Sequence, residues 1–143
     1  RTLPFGTMVR VTNKRNGKSV IVIGQKSGVV WALDPDKNGA IVWQRRVGKG
    51  SALGGLEWGS AADATLGYFP VSDLLLGPED AGGLHALKLD TGEPVWSARP
   101  PRADCKDPRN CTQAQSAAVT LMPGAIFSGT TTGIMAVSAW VVF

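Results

Sequence analysis

Short apolar runs separated by glycine, proline and polar corners recur along the whole chain. The run 20–23, "VIVI", is apolar at every position, which favours a strand covered on both faces. No segment shows the 3.6-residue period of an amphipathic helix over several turns. The pattern therefore predicts short β-strands joined by turns.

One strand–corner–strand segment is repeated. The stretch "ALDPDKNGAIVW" (32–43) returns as "ALKLDTGEPVW" (86–96), and a further copy starts at "GIMAVSA" (133–139). Trp43 and Trp96 lie at the same point of their copies, about fifty positions apart, and a period of this length with four strands per unit is typical of a β-propeller blade. We interpret both Trp residues as packing anchors between blades rather than as a ligand platform.

Each unit divides into the same pieces, as in an antiparallel meander. The predicted strands are 8–12, 20–23, 29–34 and 40–44 in the first unit, 59–63, 68–72, 84–90 and 94–98 in the second, and 117–122, 125–128 and 134–138 in the third. We predict an all-β fragment of a β-propeller with four-stranded antiparallel blades. The blades are placed at about 7–48 and about 56–100, with an incomplete third blade at about 115–143.

The corners of the two complete units have a local explanation. Asp34 and Asp90 can accept hydrogen bonds from the N–H groups of the turn that follows each of them. Gly39 and Gly92 can supply the positive φ that a tight hairpin requires. These residues predict tight turns rather than a site.

Composition narrows the classes of function. The chain has 143 residues, 43% of them apolar, with eighteen Gly and nine Pro, which suits one domain rich in turns. Its formal charge of +4 comes from scattered basic residues that form no stripe with aromatics, so nucleic-acid binding is disfavoured. No apolar stretch is long enough to cross a bilayer, and the start lacks the pattern of a secretory signal.

Both ends predict a processed, trimmed or incomplete chain. The first residue is Arg1, and the last segment stops inside an apolar run. Trp140 follows Ala136 by four positions, whereas Trp96 follows Ala86 by ten. A truncation or a frameshift is the simplest explanation of that tail.

The repeat resembles a known family. "ALKLDTGEPVW" matches nearly all of the pattern Ala-x-Asp-x-x-Thr-Gly-x-x-x-Trp of the pyrroloquinoline quinone (PQQ) propeller repeat. "GQKSGVVWALD", "GKGSALGGLEWGSAAD", "GGLHALKLDTGEPVW" and "AQSAAVT" resemble the polyvinyl-alcohol dehydrogenase family of quinoproteins, from about residue 20 to about residue 133. Cofactor-free propellers share the repeat, so it supports the fold more than the chemistry.

The resemblance implies three cofactor-binding residues. The "QKSG" turn (25–28) resembles the turn that brings a cation against the quinone, a role that would fall to Lys26; the alternative is an exposed Lys in a hairpin turn. "GGLEWG" (54–59) resembles the segment beside the cofactor, where Trp58 would cover one face of the quinone and Glu57 would contact it or a bound cation. Alternatively, Trp58 fills the core between blades.

A metal ligand and a catalytic base are less clearly marked. "TLGYFPVSD" (65–73) resembles a strand that ends in a calcium ligand, which makes Asp73 a candidate; a turn residue at the end of a strand is the alternative. No catalytic residue is assigned, because Asp104 and Asp107, roughly where some relatives place the base, are equally consistent with solvated loop charges.

Cys105 and Cys111 lie close together in the longest connection. In an exported family, such a pair fits a disulfide that pins the loop. Metal binding by this pair is disfavoured because His85, the only histidine, falls on a predicted strand, where we interpret it as a packing residue.

The sequence thus favours part of a PQQ-dependent alcohol dehydrogenase, located in the periplasm or secreted. The resemblance implies PQQ and calcium as cofactors, secondary or polymeric alcohols as substrates, and a cytochrome c as electron acceptor. Because three blades cannot close a propeller, further blades or self-association are expected. The alternative is a non-enzymatic propeller scaffold whose free blade edges bind proteins or peptides.

Overall fold

A computed structural model describes residues 9–12, 17–77, 80–99, 112–130 and 135–138. These residues form eleven strands: β1 Val9–Thr12, β2 Ser19–Gly24, β3 Val29–Asp34, β4 Ala40–Arg46, β5 Ala61–Ala62, β6 Leu66–Pro70, β7 Leu84–Lys88, β8 Pro94–Ala98, β9 Thr120–Met122, β10 Ala125–Gly129 and β11 Met135–Ser138. No helix in these ranges is long and apolar enough to span a membrane.

The strands form three antiparallel meanders. Their orders are β1-β2-β3-β4, β5-β6-β7-β8 and β9-β10-β11. The predicted all-β fold with four-stranded antiparallel sheets is confirmed and is consistent with a propeller fragment. The exact blade boundaries stay a prediction.

The second meander begins differently from the prediction. β6 covers Leu66–Pro70 rather than 68–72, and β5 is reduced to Ala61–Ala62. Asp63 explains the early start of β6, because its Oδ1 accepts hydrogen bonds from the N–H groups of Thr65 at 2.7 Å and Leu66 at 2.8 Å. At the other end, Ser72 leaves the sheet because its N–H bonds the carbonyl of Gly55 at 2.9 Å.

Other strand ends also shift. The strand predicted at 117–122 begins only at Thr120, and the one predicted at 84–90 ends at Lys88. The N–H of Val119 donates to the carbonyl of Gly59 at 2.8 Å, and that of Leu89 donates to the carbonyl of Thr65 at 2.9 Å. Both strands are shorter than predicted because these N–H groups bond to connecting segments and not to a neighbouring strand.

The two sides of the second sheet pack against different neighbours. One buried cluster joins Phe69, Leu87 and Leu89 to the first sheet. The other joins Tyr68, Leu84 and Ala86 to Ile126 of the third sheet and to Val119, which directly precedes β9. This alternation follows from the two-residue period of a strand, which points neighbouring side chains to opposite faces.

Trp43 links the first sheet to the second. Its side chain belongs to the first cluster, and its Nε1 donates to the carbonyl of Leu89 at 3.0 Å in the buried interface. Trp96, at the matching point of the second sheet, packs partly buried against the second cluster, with its ring 5.9 Å from that of Tyr68. The prediction of a packing anchor between blades is confirmed for Trp43, and Trp96 packs against the cluster that the second and third sheets share.

The first predicted corner is also confirmed. Asp34 Oδ1 accepts a hydrogen bond from the Asp36 N–H at 2.9 Å, and Gly39 has φ 76°. In the second corner Gly92 has φ 69°. The Glu93 N–H donates to Thr91 Oγ1 at 3.3 Å, so the Thr91 hydroxyl accepts the side-chain hydrogen bond of the turn that was predicted for Asp90.

Because the strands are antiparallel, their connections lie at two opposite ends of the strands. The end that carries the β2–β3 turn, the β4–β5 connection and the β6–β7 connection is here named the linker edge. Backbone bonds confirm their proximity: the Gly28 carbonyl accepts the Val47 N–H at 2.9 Å, and the Gly55 carbonyl accepts the Ser72 N–H at 2.9 Å. The corners 34–39 and 89–93 lie at the opposite edge.

At the linker edge, the first and second sheets leave a cleft of about 380 Å³ between them. Its charged and titratable lining residues are Arg46, Lys49, Asp73, Asp80, His85 and Arg99. Burial lowers the pKa of His85, the charge of Arg99 lowers it further, and the charge of Asp73 acts in the opposite direction. The fold therefore favours neutral His85.

The glycines of the two corners provide a matched test of the interface. Both have positive φ, but a Cβ on Gly92 would lie 2.5 Å from Trp43 Cε3, whereas a Cβ on Gly39 would meet nothing within 4 Å. We expect Gly39→Ala to lower the free energy of unfolding by about 1–2 kcal/mol through backbone strain. Gly92→Ala should lower it by about 1–3 kcal/mol more, because the indole must shift. Urea unfolding measures both, and equal losses would contradict the close packing of Trp43 on the corner.

The lowered pKa of His85 predicts a pH-dependent stability. A depressed pKa in the folded state gives stability that is fully present above the unfolded value of about 6.5 and is lost as the pH falls toward the folded value. We expect the free energy of unfolding to decrease from about pH 7 to about pH 5, and His85→Leu to flatten that slope. Urea unfolding across this range is the measurement. Since the chain has one histidine, an unchanged slope in His85→Leu would rule out this origin.

Candidate functional site

The turn between β2 and β3 carries the predicted cation. Gln25 to Gly28 is closed by the Gly28 N–H bonding the Gln25 carbonyl at 2.9 Å, and Gly28 has φ 80°. Gln25 Oε1 also accepts the Trp31 Nε1–H at 2.8 Å. A tight turn anchored on its own strand thus holds Lys26 at the linker edge.

A glycine-rich loop (48–55) packs directly on this turn. Its close approach requires glycine, because a Cβ on Gly55 would lie 2.3 Å from the carbonyl oxygen of Lys26. The Leu56 N–H bonds the Gln25 carbonyl at 3.0 Å just beyond the loop. Arg46 holds the other side, since its Nη1 donates to the carbonyls of Ser27 at 2.6 Å and Gly48 at 3.2 Å.

Lys26 and Glu57 meet where the turn and the connection touch. Lys26 Nζ lies 2.7 Å from Glu57 Oε1 and donates to the Ala52 carbonyl at 2.9 Å. The Lys26 side chain is 54% exposed, whereas that of Glu57 is 7% exposed. Among the described residues Glu57 Oε1 has no aligned hydrogen-bond donor, so we read the contact as an attraction of charges. The pair leaves about half of the Lys26 side chain exposed.

Trp58 follows Glu57 and is 39% exposed. The predicted alternative, in which this indole fills the core between blades, is not what the described structure shows. Gly59 then accepts the Val119 N–H at 2.8 Å and ties the connection to the third sheet. The structure therefore brings Lys26 and Glu57 into contact and leaves part of the surface of Trp58, the next residue in the chain, accessible.

Asp73 lies at the same edge but in a different environment. It is 1% exposed, and its backbone adopts the left-handed conformation with φ 47°. Its Oδ2 accepts the Lys49 N–H at 2.8 Å, and its Oδ1 accepts those of Gly50 at 2.9 Å and Gly55 at 2.6 Å. Burying a carboxylate is costly, and three charge-assisted bonds offset that cost.

These surroundings do not fit a calcium ion. Calcium takes six to eight oxygen ligands, but the groups nearest to the Asp73 oxygens are N–H donors. No cluster of three or more His, Cys, Asp or Glu suited to a metal occurs in the part of the chain that the structure describes. Calcium binding by Asp73 therefore stays a prediction without structural support.

Some features of the site were missed from the sequence, and others remain open. The Ala52 carbonyl and the loop that encloses Asp73 were not predicted, although the density of glycines in "GKGSALGG" was a signal of close backbone approach. Asp104, Asp107, Cys105 and Cys111 lie outside the described residues, as does Trp140.

Comparison with known proteins identifies two relatives of high similarity. A polyvinylalcohol dehydrogenase of Pseudomonas sp is 44% identical over 120 residues, covering 83% of this chain. A polyvinylalcohol dehydrogenase of Sphingopyxis sp. (strain 113P3) is 43% identical over 122 residues, covering 82% of this chain. In each case the match spans 19% of the relative's length.

Two other comparisons add little. No protein-family model matches the chain. The crystal structure of the computationally designed Ika4 protein is 11% identical, with 97% of this chain and 92% of that one covered, but its TM-score of 0.41 is too low to support an argument.

The two polyvinylalcohol dehydrogenases match more than four fifths of this chain. The resemblance to quinoprotein dehydrogenases inferred from the repeats is thereby confirmed. Over most of its length, this chain is a homologue of a segment of the polyvinylalcohol dehydrogenases.

Proposed function

We propose that the chain is the part of a PQQ-dependent alcohol dehydrogenase that contributes Lys26 and Trp58 to the cofactor site. The observation that carries this proposal is the half-exposed side chain of Lys26, whose ammonium group contacts Glu57 and the Ala52 carbonyl. The identity to two polyvinylalcohol dehydrogenases supports the same reaction class.

The described residues suit an anionic, planar cofactor. The ammonium group of Lys26 can donate to a quinone oxygen or a carboxylate, and the accessible indole of Trp58 can stack on a flat ring. When bound, PQQ would supply the acceptor for the hydride removed from the alcohol.

The protein's own part in this chemistry is orientation and charge. Glu57 and the Ala52 carbonyl both contact the Lys26 ammonium group, which limits the rotation of its side chain. A cation fixed in advance stabilises negative charge that develops on a nearby oxygen without reorganising during the reaction. Glu57 is thus assigned to orienting Lys26, with direct contact to the cofactor as the alternative.

Other parts of the proposal concern the whole protein. The chain spans about a fifth of the length of its matched relatives, so additional blades would complete the cofactor site. Secondary or polymeric alcohols as substrates, a cytochrome c as electron acceptor and a periplasmic or secreted location belong to this proposal. Calcium remains a proposed cofactor without a ligand set among the described residues.

A scaffold role is the second candidate, and one observation favours it. Ile41 and Val42 on the edge strand β4 are 61% and 51% exposed, and Val95 on β8 is 47% exposed. An accessible edge with apolar side chains can pair with an extended segment of another protein. Such a module would need neither Lys26 nor a quinone.

A substitution of Lys26 distinguishes the dehydrogenase from the scaffold. In the protein at its full natural length, reconstituted with PQQ, we expect Lys26→Gln to lower dye-linked oxidation of a secondary alcohol by about tenfold or more, because a charge-assisted bond is lost. Lys37→Gln is the matched control, since Lys37 is a well-exposed lysine in the corner at the opposite edge. Absence of quinone binding and of turnover in the unaltered protein would exclude the dehydrogenase.

A further inference from the structure

Asp73, at 1% exposed, is the most deeply buried charged residue among the described residues of the linker edge, and none of its described hydrogen bonds goes to Lys26 or Glu57. All three of its described hydrogen bonds go to backbone N–H groups of the glycine-rich loop. A buried group with that pattern acts on the shape of the loop rather than on a ligand.

The two bonds to Oδ1 have a specific geometric effect. Gly50 and Gly55 both donate to this one oxygen, at 2.9 Å and 2.6 Å, which draws together the two ends of the stretch 51–54. A further bond within the stretch, from the Gly54 N–H to the Ser51 carbonyl at 3.2 Å, completes a compact turn. Ala52 lies in this turn, and its carbonyl is the one that binds Lys26 Nζ at 2.9 Å.

Little free space is left around the carboxylate. A Cβ on Gly48 would lie 2.9 Å from Asp73 Oδ2, and one on Gly54 would lie 2.8 Å from Oδ1. The loop therefore fits closely around an aspartate, and a longer side chain would have to displace it. Replacement of one Asp73 carboxylate oxygen by the NH₂ group of asparagine would instead place a hydrogen-bond donor against a backbone N–H donor.

We propose that Asp73 is a positioning residue: its buried carboxylate closes the glycine-rich loop and thereby fixes the Ala52 carbonyl and Glu57 around Lys26. The inference rests on the proposed function for the use made of Lys26. The positioning itself is a property of the chain without cofactor and is tested in that form.

The test is competitive acetylation of the folded chain, followed residue by residue by mass spectrometry. Lys88 is the internal reference, because its side chain is 50% exposed and is paired with Glu93 at 2.7 Å, much as Lys26 is paired with Glu57. Lys88 lies toward the opposite edge, so the loop does not reach it. The ratio of the acetylation rate of Lys26 to that of Lys88 therefore reports changes in the contacts of Lys26 alone.

Asp73→Asn is expected to raise this ratio by about two- to fivefold, the range that corresponds to losing a partly exposed charged contact. Glu57→Gln, which removes the ion pair directly, should raise it similarly. Asp80→Asn is the matched control: it removes a carboxylate from the same β6–β7 connection, one that pairs with the Lys49 side chain at 2.7 Å, and should leave the ratio unchanged. A merely structural role for Asp73 would raise both lysine rates together or neither.

A ratio unchanged in folded Asp73→Asn would overturn the proposal. If that variant does not fold, Asp73→Glu retains the charge and displaces the loop, and the same rise is expected. In the unaltered chain the Gly50 and Gly55 amides should be protected from hydrogen exchange, and rapid exchange at both would also overturn it. Failure to bind PQQ would exclude the proposed function but would not change the expected acetylation rates.

Discussion

The burial of Trp43 against the second sheet is the interaction on which the rest of the described structure depends. A single four-stranded sheet has two apolar faces and cannot bury both by itself. Trp43 covers part of the second sheet, and its indole N–H satisfies the carbonyl of Leu89 inside the interface. This contact packs the first sheet on the second, and the connections at the linker edge then lie within hydrogen-bonding distance of one another.

These hydrogen bonds allow irregular backbone segments to form a defined site. The turn with Lys26 belongs to the first sheet, and Asp73 belongs to the second, while the glycine-rich loop lies between them. Backbone bonds from Leu56 to Gln25 and from Ser72 to Gly55 join these three segments. The site is thus an interface between blades, and its geometry depends on the packing below it.

The two acidic groups at this interface have different tasks, set by their surroundings. Glu57 faces the ammonium group of a half-exposed lysine side chain, so its effect is to orient that side chain. Asp73 faces three backbone N–H groups and is almost fully buried, so its effect is to hold the main chain. A cofactor site of the proposed kind needs both, since a fixed cation depends on a fixed loop.

The sequence by itself determined the repeated strands, the tight turns at Gly39 and Gly92 and the anchoring role of Trp43, because period and turn chemistry are local properties of the chain. It also placed Lys26, Glu57 and Trp58 in connections rather than in strands. Only the tertiary structure decided that Lys26 pairs with Glu57 and that Asp73 accepts hydrogen bonds from the backbone N–H groups of the glycine-rich loop. It also set the shortened ends of β5, β7 and β9. These features depend on contacts between residues distant in sequence, which no local pattern specifies, and glycine spacing shows only that backbones approach closely, not which carboxylate they approach.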